Sequence, residues 1–461
     1  MTPNPSHPLH GRIPHELLGR FLAWVLPLAL VTGCNPAPPP ATGDVPLSAN
    51  QPRADFVLTV PLSGSESRSS LEERYGGKAL VWESGSYAML GLDSRTAEAK
   101  KDVIAADNLT LEPNARSFLS GGQAAWMSGS STIWAGGSST IWAGGSSAIW
   151  AGGSSAIWAG GVFAWMPENT ETWKRIRLEQ GHRLAPRLGY GVKVAVIDTG
   201  VDLEHPALKE ALAPAGEWWD FYDNDPVPQE VGDLGQGGYG HGTNVAGIIR
   251  QVAPRATLLP LRVLGSDGYG DVAAVAAAID WAVAKGAKVI NLSLGSDQKH
   301  DAIEQAIRAA NGKGVLVVAS TGNTGDDKVT FPASTMADDK NGWKRLSVTS
   351  VNLSDVKSSF ATYGKSVELA APGENVYGPA PGNPEPRKAA WTGTSMAAPM
   401  ASGALALALG QKLEVPAANL ADELRVRSSD IYNNGLNEAY KDQVGKGRLD
   451  LEEFLRNVLD D

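Results

Sequence analysis

Residues 194–202 read VAVIDTGVD, a short apolar and β-branched run that ends in an aspartate and a glycine turn. Such a run predicts a buried strand of a parallel sheet, with Asp198 at its carboxyl end. Outward from this strand, further short apolar runs alternate with helical patterns as far as residue 410. We therefore predict an α/β domain with a mostly parallel sheet over residues 170–461. Active sites of such domains lie at the carboxyl ends of the strands.

Three further segments place reactive side chains among glycines: GHGTNVAG (240–247), VVASTGNTG (317–325) and TGTSMAAP (392–399). A serine hydroxyl needs an imidazole to take its proton, and the imidazole needs a buried carboxylate to hold its tautomer. We therefore predict Ser395 as nucleophile, His241 as general base and Asp198 as the carboxylate that orients it. The amide of Asn323 and a backbone N–H at the helix start of Ser395 are suitable donors to an oxyanion.

With these motifs in the order Asp198, His241, Ser395, residues 170–461 resemble the subtilisin-like serine protease (subtilase) family. The resemblance implies a three-layer α/β fold, hydrolysis of polypeptides through an acyl-enzyme, and chemistry without a cofactor. It also implies two strand edges that pair with substrate, one formed by Gly268, Tyr269 and Gly270 and the other by Ser293, Leu294 and Gly295. The implied wall of the primary pocket is Ser320, Thr321 and Gly322, and its implied base is Thr330.

Thr330 stands where many subtilases have glycine at the base of the primary pocket. A threonine there would narrow the pocket and favour small apolar side chains. The alternative is that Thr330 belongs to the wall and faces elsewhere. No acidic residue is evident in the pocket segments, so a strict preference for basic residues is not expected.

Residues 54–118 show alternating strand and helix patterns in the order β-α-β-β-α-β, which predicts a small ferredoxin-like unit. This unit resembles, more loosely, the inhibitory propeptide of subtilases, including the residues EPN at 112–114. The resemblance implies a zymogen whose propeptide helps the catalytic domain to fold and blocks its cleft. Self-cleavage is then expected between Ser117 and Thr170.

The N-terminal region contains an 11-residue apolar run at 21–31, too short to cross a bilayer but suited to a signal peptide. Its last two residues begin LVTGC (30–34), which resembles a bacterial lipoprotein signal. Residues 1–33 would then be removed, a lipid would be attached to Cys34, and 34–53 would form a Pro-rich linker. The alternative is an ordinary signal peptide with an incidental cysteine. Both predict an extracytoplasmic protein, either membrane-anchored or secreted after processing.

Residues 119–169 contain a Gly/Ser/Trp octapeptide repeat, with tryptophans at 134, 142, 150 and 158. The period matches none of the common solenoid repeats. The segment is either a duplicated linker without a function of its own or a set of apolar contacts that dock onto the catalytic domain or a surface partner. The second possibility supports a competing hypothesis, a noncatalytic surface protein that binds through the repeat.

Charge and composition exclude several other classes. The formal net charge of −10 argues against a nucleic-acid-binding protein. Cys34 is the only cysteine, so intramolecular disulfides and cysteine-based zinc sites are excluded. An acidic loop at Asp220, Asp223, Asp225 and Asp233 is either solvated or a structural calcium site. A sedolisin-type acid peptidase is disfavoured because that family has glutamate in place of the catalytic histidine.

Overall fold

The computed structural model describes residues 54–82, 86–119, 166–233, 237–338, 344–382, 387–411, 417–433 and 435–460. The predicted signal peptide, Cys34, the Pro-rich linker and the octapeptide repeat lie outside these ranges. Within them, no helix combines the length and apolar character needed to cross a bilayer.

The N-terminal unit of the described chain is a four-stranded sheet with two helices. Its strands pair in the order β2-β3-β1-β4, and all the pairs are antiparallel. This is the ferredoxin-like arrangement that the sequence pattern predicts. The elements are β1 (Phe56–Pro61), α1 (Arg68–Tyr75), β2 (Lys78–Val81), β3 (Tyr87–Leu92), α2 (Ser94–Ala106) and β4 (Leu111–Pro113).

The two faces of this small sheet are both apolar but pack against different partners. One face contributes Val57, Val81, Tyr87 and Met89 to the core of the large domain. The other face packs against the unit's own helices through residues that include Leu58 and Leu90. A unit of this size buries little apolar surface alone, and its contact with the large domain supplies additional burial.

The large domain is built on a seven-stranded sheet in the order β14-β13-β12-β10-β6-β8-β7, with parallel pairing. A strand from the preceding segment, β5 (Arg116–Leu119), joins a separate three-stranded sheet. The strands of the large domain are β6 (Lys193–Asp198), β7 (Trp219–Asp220), β8 (Thr257–Arg262), β9 (Tyr269–Asp271), β10 (Val289–Leu292), β11 (Leu294–Gly295), β12 (Leu316–Ser320), β13 (Arg345–Val351), β14 (Leu369–Pro372), β15 (Val376–Ala380) and β16 (Arg387–Trp391).

Helices cover the sheet in layers. The described helices of the large domain are α3 (Thr170–Arg175), α4 (Leu178–Leu184), α5 (His241–Val252), α6 (Val272–Ala284), α7 (Asp301–Gly312), α8 (Thr394–Gln411), α9 (Ala417–Val426) and α10 (Leu451–Asp460). Helices α5 and α8 pack together, as do α6 and α7, and each pair also contacts the sheet. The predicted three-layer α/β fold is therefore confirmed. Helix α8 is buried over nearly its whole length, because its side chains fill the space between the sheet and α5.

Several elements differ from the pattern-based prediction. The sequence pattern predicts a helix over 243–250, whereas α5 extends over residues 241–252. The pattern over 301–311 predicts a helix with Gly312 as its C-cap, but Gly312 is the last residue of α7 and Lys313 occupies the cap position. The left-handed conformation falls instead on Gly314, with φ of 80°. The patterns also missed β5, β9, β11 and the β15–β16 hairpin. These short strands carry no clear periodicity, and distant partners hold them in place.

The contacts of the large domain begin before the predicted boundary at residue 170. A short 3₁₀ helix at Pro167–Asn169 lies against it. The buried Asn169 amide donates to Gln251 Oε1 at 3.0 Å and to the Tyr377 carbonyl at 2.7 Å. Lys388 also pairs with Glu168. The chain is thus held at residues 166–169, so the large domain includes the end of the segment 119–169 that the sequence assigned to the repeat.

Candidate active site

Asp198 and His241 form a buried hydrogen-bonded pair at the carboxyl end of β6. Asp198 is the last residue of that strand, and His241 is the first residue of α5. Asp198 Oδ1 lies 2.7 Å from His241 Nδ1. With Nδ1–H donating to the carboxylate, Nε2 is the nitrogen left for a base. Glycine at 242 permits this approach, because a Cβ there would lie 2.1 Å from the Gly200 carbonyl oxygen.

Ser395 is the second residue of α8 and lies beside the strand edge that precedes β11. Its Oγ donates to the Ser293 carbonyl at 3.2 Å, and Ser293 Oγ donates to the Ser395 carbonyl at 2.8 Å. Ser293 thus joins the candidate nucleophile to the predicted substrate edge. Both side chains are buried.

The Asn323 side chain is oriented by Thr394, a residue that sequence reasoning did not single out. Asn323 Oδ1 accepts hydrogen bonds from Thr394 N and Thr394 Oγ1, both at 2.9 Å. A Cβ placed on Gly393 would lie 2.9 Å from Asn323 Nδ2 and 3.7 Å from Ser395 N. The side-chain amide and the backbone N–H therefore flank one small space, as two oxyanion donors must.

The two predicted substrate edges hold a strand of the same chain between them. Strand β5 pairs antiparallel with β11 on one side and with β9 on the other. Phe118 is aligned with both Gly295 and Tyr269, and Ser117 is aligned with Gly270. Leu119 is aligned with Leu294. Strand β5 thus extends past residue 118, the boundary that the sequence suggested for the small unit. Extended peptides bind to sheet edges by backbone pairing of this kind.

The Thr330 side chain lies between the two predicted walls of the pocket. A Cβ on Gly295 would lie 2.7 Å from Thr330 Oγ1, and a Cβ on Gly322 would lie 2.9 Å from Thr330 Cγ2. Gly322 has φ of 106°, a conformation that favours glycine. Ser320 and Thr321 continue the wall and are fully buried. Thr330 therefore occupies space that a glycine would leave open.

Trp391, which precedes the TGTS motif, was also not predicted to belong to the site. Its ring lies 5.4 Å from the His241 ring at an interplanar angle of 82°. This edge-on contact restricts rotation of the imidazole. Its position directly before the TGTS motif, four residues before Ser395, was the available signal.

The side chain of Arg262, at the end of β8, forms ion pairs with two aspartates of the acidic loop. Arg262 Nη1 lies 2.7 Å from Asp220 Oδ2 and 2.5 Å from Asp223 Oδ2. Asp220 Oδ1 accepts from the backbone amides of Tyr222 and Asp223. Burial raises the pKa of Asp220, and Arg262 opposes that shift. Among the described residues, no three acidic, histidine or cysteine side chains are grouped as a metal site would require.

Comparisons with known proteins agree with this arrangement. The family described as the Subtilase family matches residues 189–442. Thermitase from Thermoactinomyces vulgaris is 37% identical over 268 residues, which cover 55% of this chain and 88% of thermitase. Subtilisin BL from Lederbergia lenta is 34% identical over 262 residues, 54% of this chain and 89% of that protein. A solved Pseudoalteromonas arctica protease shares the fold at a TM-score of 0.53 and 24% identity, over 63% of this chain and 98% of its own.

Proposed function

Since the chain belongs to the subtilase family and is a subtilisin-like serine endopeptidase, we propose that Asp198, His241, Ser395 and Asn323 carry its peptide-bond hydrolysis. The observation that carries this assignment is the 2.7 Å contact between Asp198 Oδ1 and His241 Nδ1. The His241 ring also contacts Trp391, four residues before Ser395. The expected reaction needs no cofactor. Its substrates are polypeptides bound as an added strand between β9 and β11.

In the proposed mechanism, Ser395 Oγ attacks the substrate carbonyl carbon while His241 Nε2 takes the hydroxyl proton. The carbonyl oxygen becomes negative and accepts hydrogen bonds from Asn323 Nδ2 and Ser395 N–H. The C–N bond then breaks, and His241 returns the proton to the leaving amine. A water molecule, deprotonated by the same imidazole, hydrolyses the acyl-enzyme and regenerates Ser395.

Labelling with a fluorophosphonate probe separates this proposal from the noncatalytic alternative. The probe reacts with an activated serine, so we expect covalent modification of Ser395 in processed wild-type protein and none in the His241→Ala variant. Peptide mapping by mass spectrometry locates the modified residue. Folded, processed protein that stays unlabelled would support the surface protein that binds through its tryptophan repeat.

We further propose that the small unit is the inhibitory propeptide of a zymogen. It places β5 between the two substrate edges and also caps two helices of the large domain. Glu112 accepts from the backbone amides of Asp301 at 2.9 Å and Ala302 at 3.3 Å, at the start of α7. Asn114 Oδ1 accepts from Ala273 N at 3.1 Å, at the start of α6. Neither helix has a side-chain cap of its own.

Loss of both caps is expected to weaken inhibition. Because a helix cap contributes about 0.5–2 kcal/mol, the double change Glu112→Ala and Asn114→Ala should shorten the lag between self-cleavage and full activity about tenfold. The lag is measured with a chromogenic peptide after refolding of the full chain. Glu98→Ala is the matched control, since Glu98 is exposed and pairs with Lys101 within α2. An unchanged lag in the double variant would contradict the inhibitory role.

Strand β5 supports self-cleavage close to its carboxyl end. Leu119, the last described residue of β5, pairs with Leu294, and the neighbouring Ser293 carbonyl oxygen lies 3.2 Å from Ser395 Oγ. We therefore propose that self-cleavage occurs shortly after Leu119, within the range between Ser117 and Thr170 that the sequence suggested.

Replacing Thr330 tests the proposed pocket. Thr330→Gly removes the side chain between Gly295 and Gly322, so hydrolysis after phenylalanine should rise relative to hydrolysis after alanine by about 10–100-fold. Thr330→Ser lacks only the methyl group facing Gly322, so its preference should fall between those of wild type and Thr330→Gly. The measurement is the ratio of kcat/KM for two peptides that differ only in phenylalanine or alanine before the cleaved bond. Equal ratios in all three proteins would place Thr330 outside the specificity pocket.

For the remaining chain, we propose removal of signal residues 1–33, lipid attachment at Cys34, a linker at 34–53, and a repeat linker within 119–169 whose last residues, 166–169, contact the large domain. Cleavage shortly after Leu119 would then leave the lipid on the propeptide and release the catalytic domain from the membrane. Intact mass of the unprocessed chain tests this, because a Cys34→Ala variant should lack the added diacylglycerol. A structural calcium at the acidic loop would have to compete with Arg262 for Asp220 and Asp223.

A further inference from the structure

Glu230 places a second buried carboxyl group next to the Asp198–His241 pair. The residue is only 4% exposed, and its backbone amide donates to the Val201 carbonyl at 3.0 Å. Its Oε2 accepts from Thr243 N at 3.1 Å and Thr243 Oγ1 at 3.0 Å. Its Oε1 has no hydrogen-bond partner within the described part of the chain. Burial, opposed by the Thr199 hydroxyl and assisted by the negative charge of Asp198, raises the pKa of Glu230 to about 7.

The position of Glu230 matters because α5 begins at the catalytic histidine. The N-cap residue of this helix is Gly240, which has no side chain to satisfy the free amides of the first turn. Other segments supply the acceptors: Gly242 N donates to Thr199 Oγ1 at 3.0 Å, and Thr243 N donates to Glu230. An anion at a helix N-terminus is stabilising. Glu230 therefore holds the turn that carries His241.

The charges around this carboxyl group come from three places. Asp198 lies at the end of β6, and His241 lies at the start of α5. Asp202 lies in the turn after β6, where its backbone amide donates to Thr243 Oγ1 at 2.9 Å. During acylation the imidazole gains a proton and becomes positive. A negative charge nearby favours that protonated form.

We propose that Glu230 is a positioning residue whose carboxylate caps α5 and, together with Asp198, stabilises the imidazolium of His241. In its ionised form, Glu230 thereby shifts the acid limb of the pH–rate profile to higher pH. This inference rests on the proposed function, because it assumes that His241 is the base in peptide hydrolysis.

The test compares Glu230→Gln with wild type in processed enzyme obtained from the full chain. Glutamine keeps an oxygen that accepts from Thr243, so the fold is retained, but the negative charge is lost. An imidazole with less negative charge nearby stays neutral to lower pH. The acid limb of kcat/KM for a chromogenic peptide should therefore move down by about one pH unit. Glu230→Asp, which keeps the charge, should lie closer to wild type.

Glu368→Gln is the matched control. Glu368 is also buried, its pKa is likewise raised to about 7 by desolvation, and it accepts from Ser347 N at 3.0 Å on β13. It lies outside the catalytic cluster, so this variant should leave the acid limb in place. If the loss of any buried carboxylate moved the acid limb, Glu230→Gln and Glu368→Gln would move it alike. That result would overturn the proposal.

An acid limb in Glu230→Gln that coincides with wild type, even with a lower Tm, would make Glu230 purely structural. If that variant does not fold, Thr243→Val and Thr243→Ser serve instead. Valine removes the hydroxyl that donates to the Glu230 carboxylate, which makes Glu230 harder to ionise. The acid limb of Thr243→Val should therefore move down. Serine keeps the hydroxyl, so the acid limb of Thr243→Ser should stay in place. An unmoved limb in Thr243→Val overturns the inference. Wild-type hydrolysis that does not require Ser395 would instead refute the proposed function itself.

Discussion

Replacement of Ser395 by alanine is expected to leave the chain uncut and without peptidase activity. The variant lacks the oxygen that would attack the peptide bond cleaved in self-processing, while His241, Asp198 and Asn323 remain in place. Loss of the nucleophile in such a triad lowers kcat by about 10⁶-fold. Intact mass and N-terminal sequencing of refolded wild type and Ser395→Ala, without other proteases, measure the effect. Wild type should begin at a residue between Ser117 and Thr170, and the variant should keep its N-terminal unit.

A second serine on the same helix provides the control. Ser402 is fully buried in α8, and its Oγ donates to Asn291 Oδ1 at 2.9 Å. Ser402→Ala also removes a serine hydroxyl group from α8, but the variant chain should still cleave itself. Processing of Ser395→Ala at the wild-type rate would refute both the assigned nucleophile and self-cleavage. An uncut wild type that nonetheless hydrolyses added peptides would refute only the self-cleavage.

Asp198→Asn is expected to lower kcat/KM by about 10⁴-fold with little change in fold. Asp198 Oδ1 accepts from His241 Nδ1 at 2.7 Å and from Thr199 N at 2.8 Å, whereas Oδ2 is buried without a partner among the described residues. An asparagine NH₂ at the Oδ2 position would be buried without an acceptor. In the reverse orientation it would face Nδ1 and force the wrong imidazole tautomer. Neither orientation supplies the charge that stabilises the imidazolium.

Steady-state hydrolysis of a chromogenic peptide measures this loss, and a thermal melt checks the fold. The control is Asp225→Asn on the acidic loop. Asp225 is exposed and its Oδ1 accepts from Val227 N at 2.8 Å, which an asparagine oxygen can also do. That variant should keep its activity within about twofold, as surface changes usually do. Equal activity of Asp198→Asn and wild type would remove Asp198 from the mechanism.

The fold class and the enzyme class were both predictable from the sequence, and both are confirmed. The β-branched run that ends at Asp198 identifies a buried parallel strand, since a strand covered on both faces must be apolar throughout. The glycines around His241 and Ser395 mark places where backbones approach closely. Such features are local in the sequence and are therefore visible without the structure. The roles of the individual side chains remain proposals that the experiments above decide.

The short strands could not be predicted from their own sequence patterns, and only the family resemblance pointed to the edges at 268–270 and 293–295, which overlap β9 and β11. Strand β5 has four residues and β11 has two. Segments of this length show no periodicity, and their conformation is set by the partner across the cleft rather than by their own composition. The same holds for the caps that Glu112 and Asn114 give to α7 and α6. A capping residue is recognised in a sequence only when it directly precedes its helix.

By itself, the sequence determined the parallel α/β domain, the order of its reactive residues and the small β-α-β-β-α-β unit, because strand periodicity and glycine placement are encoded over a few neighbouring residues. Only the tertiary structure decided that β5 lies between β9 and β11, that Thr330 lies between Gly295 and Gly322, and that Glu230 meets the first turn of α5. These contacts join residues far apart in the chain. Their energies depend on distance and burial, which exist only once the chain is folded.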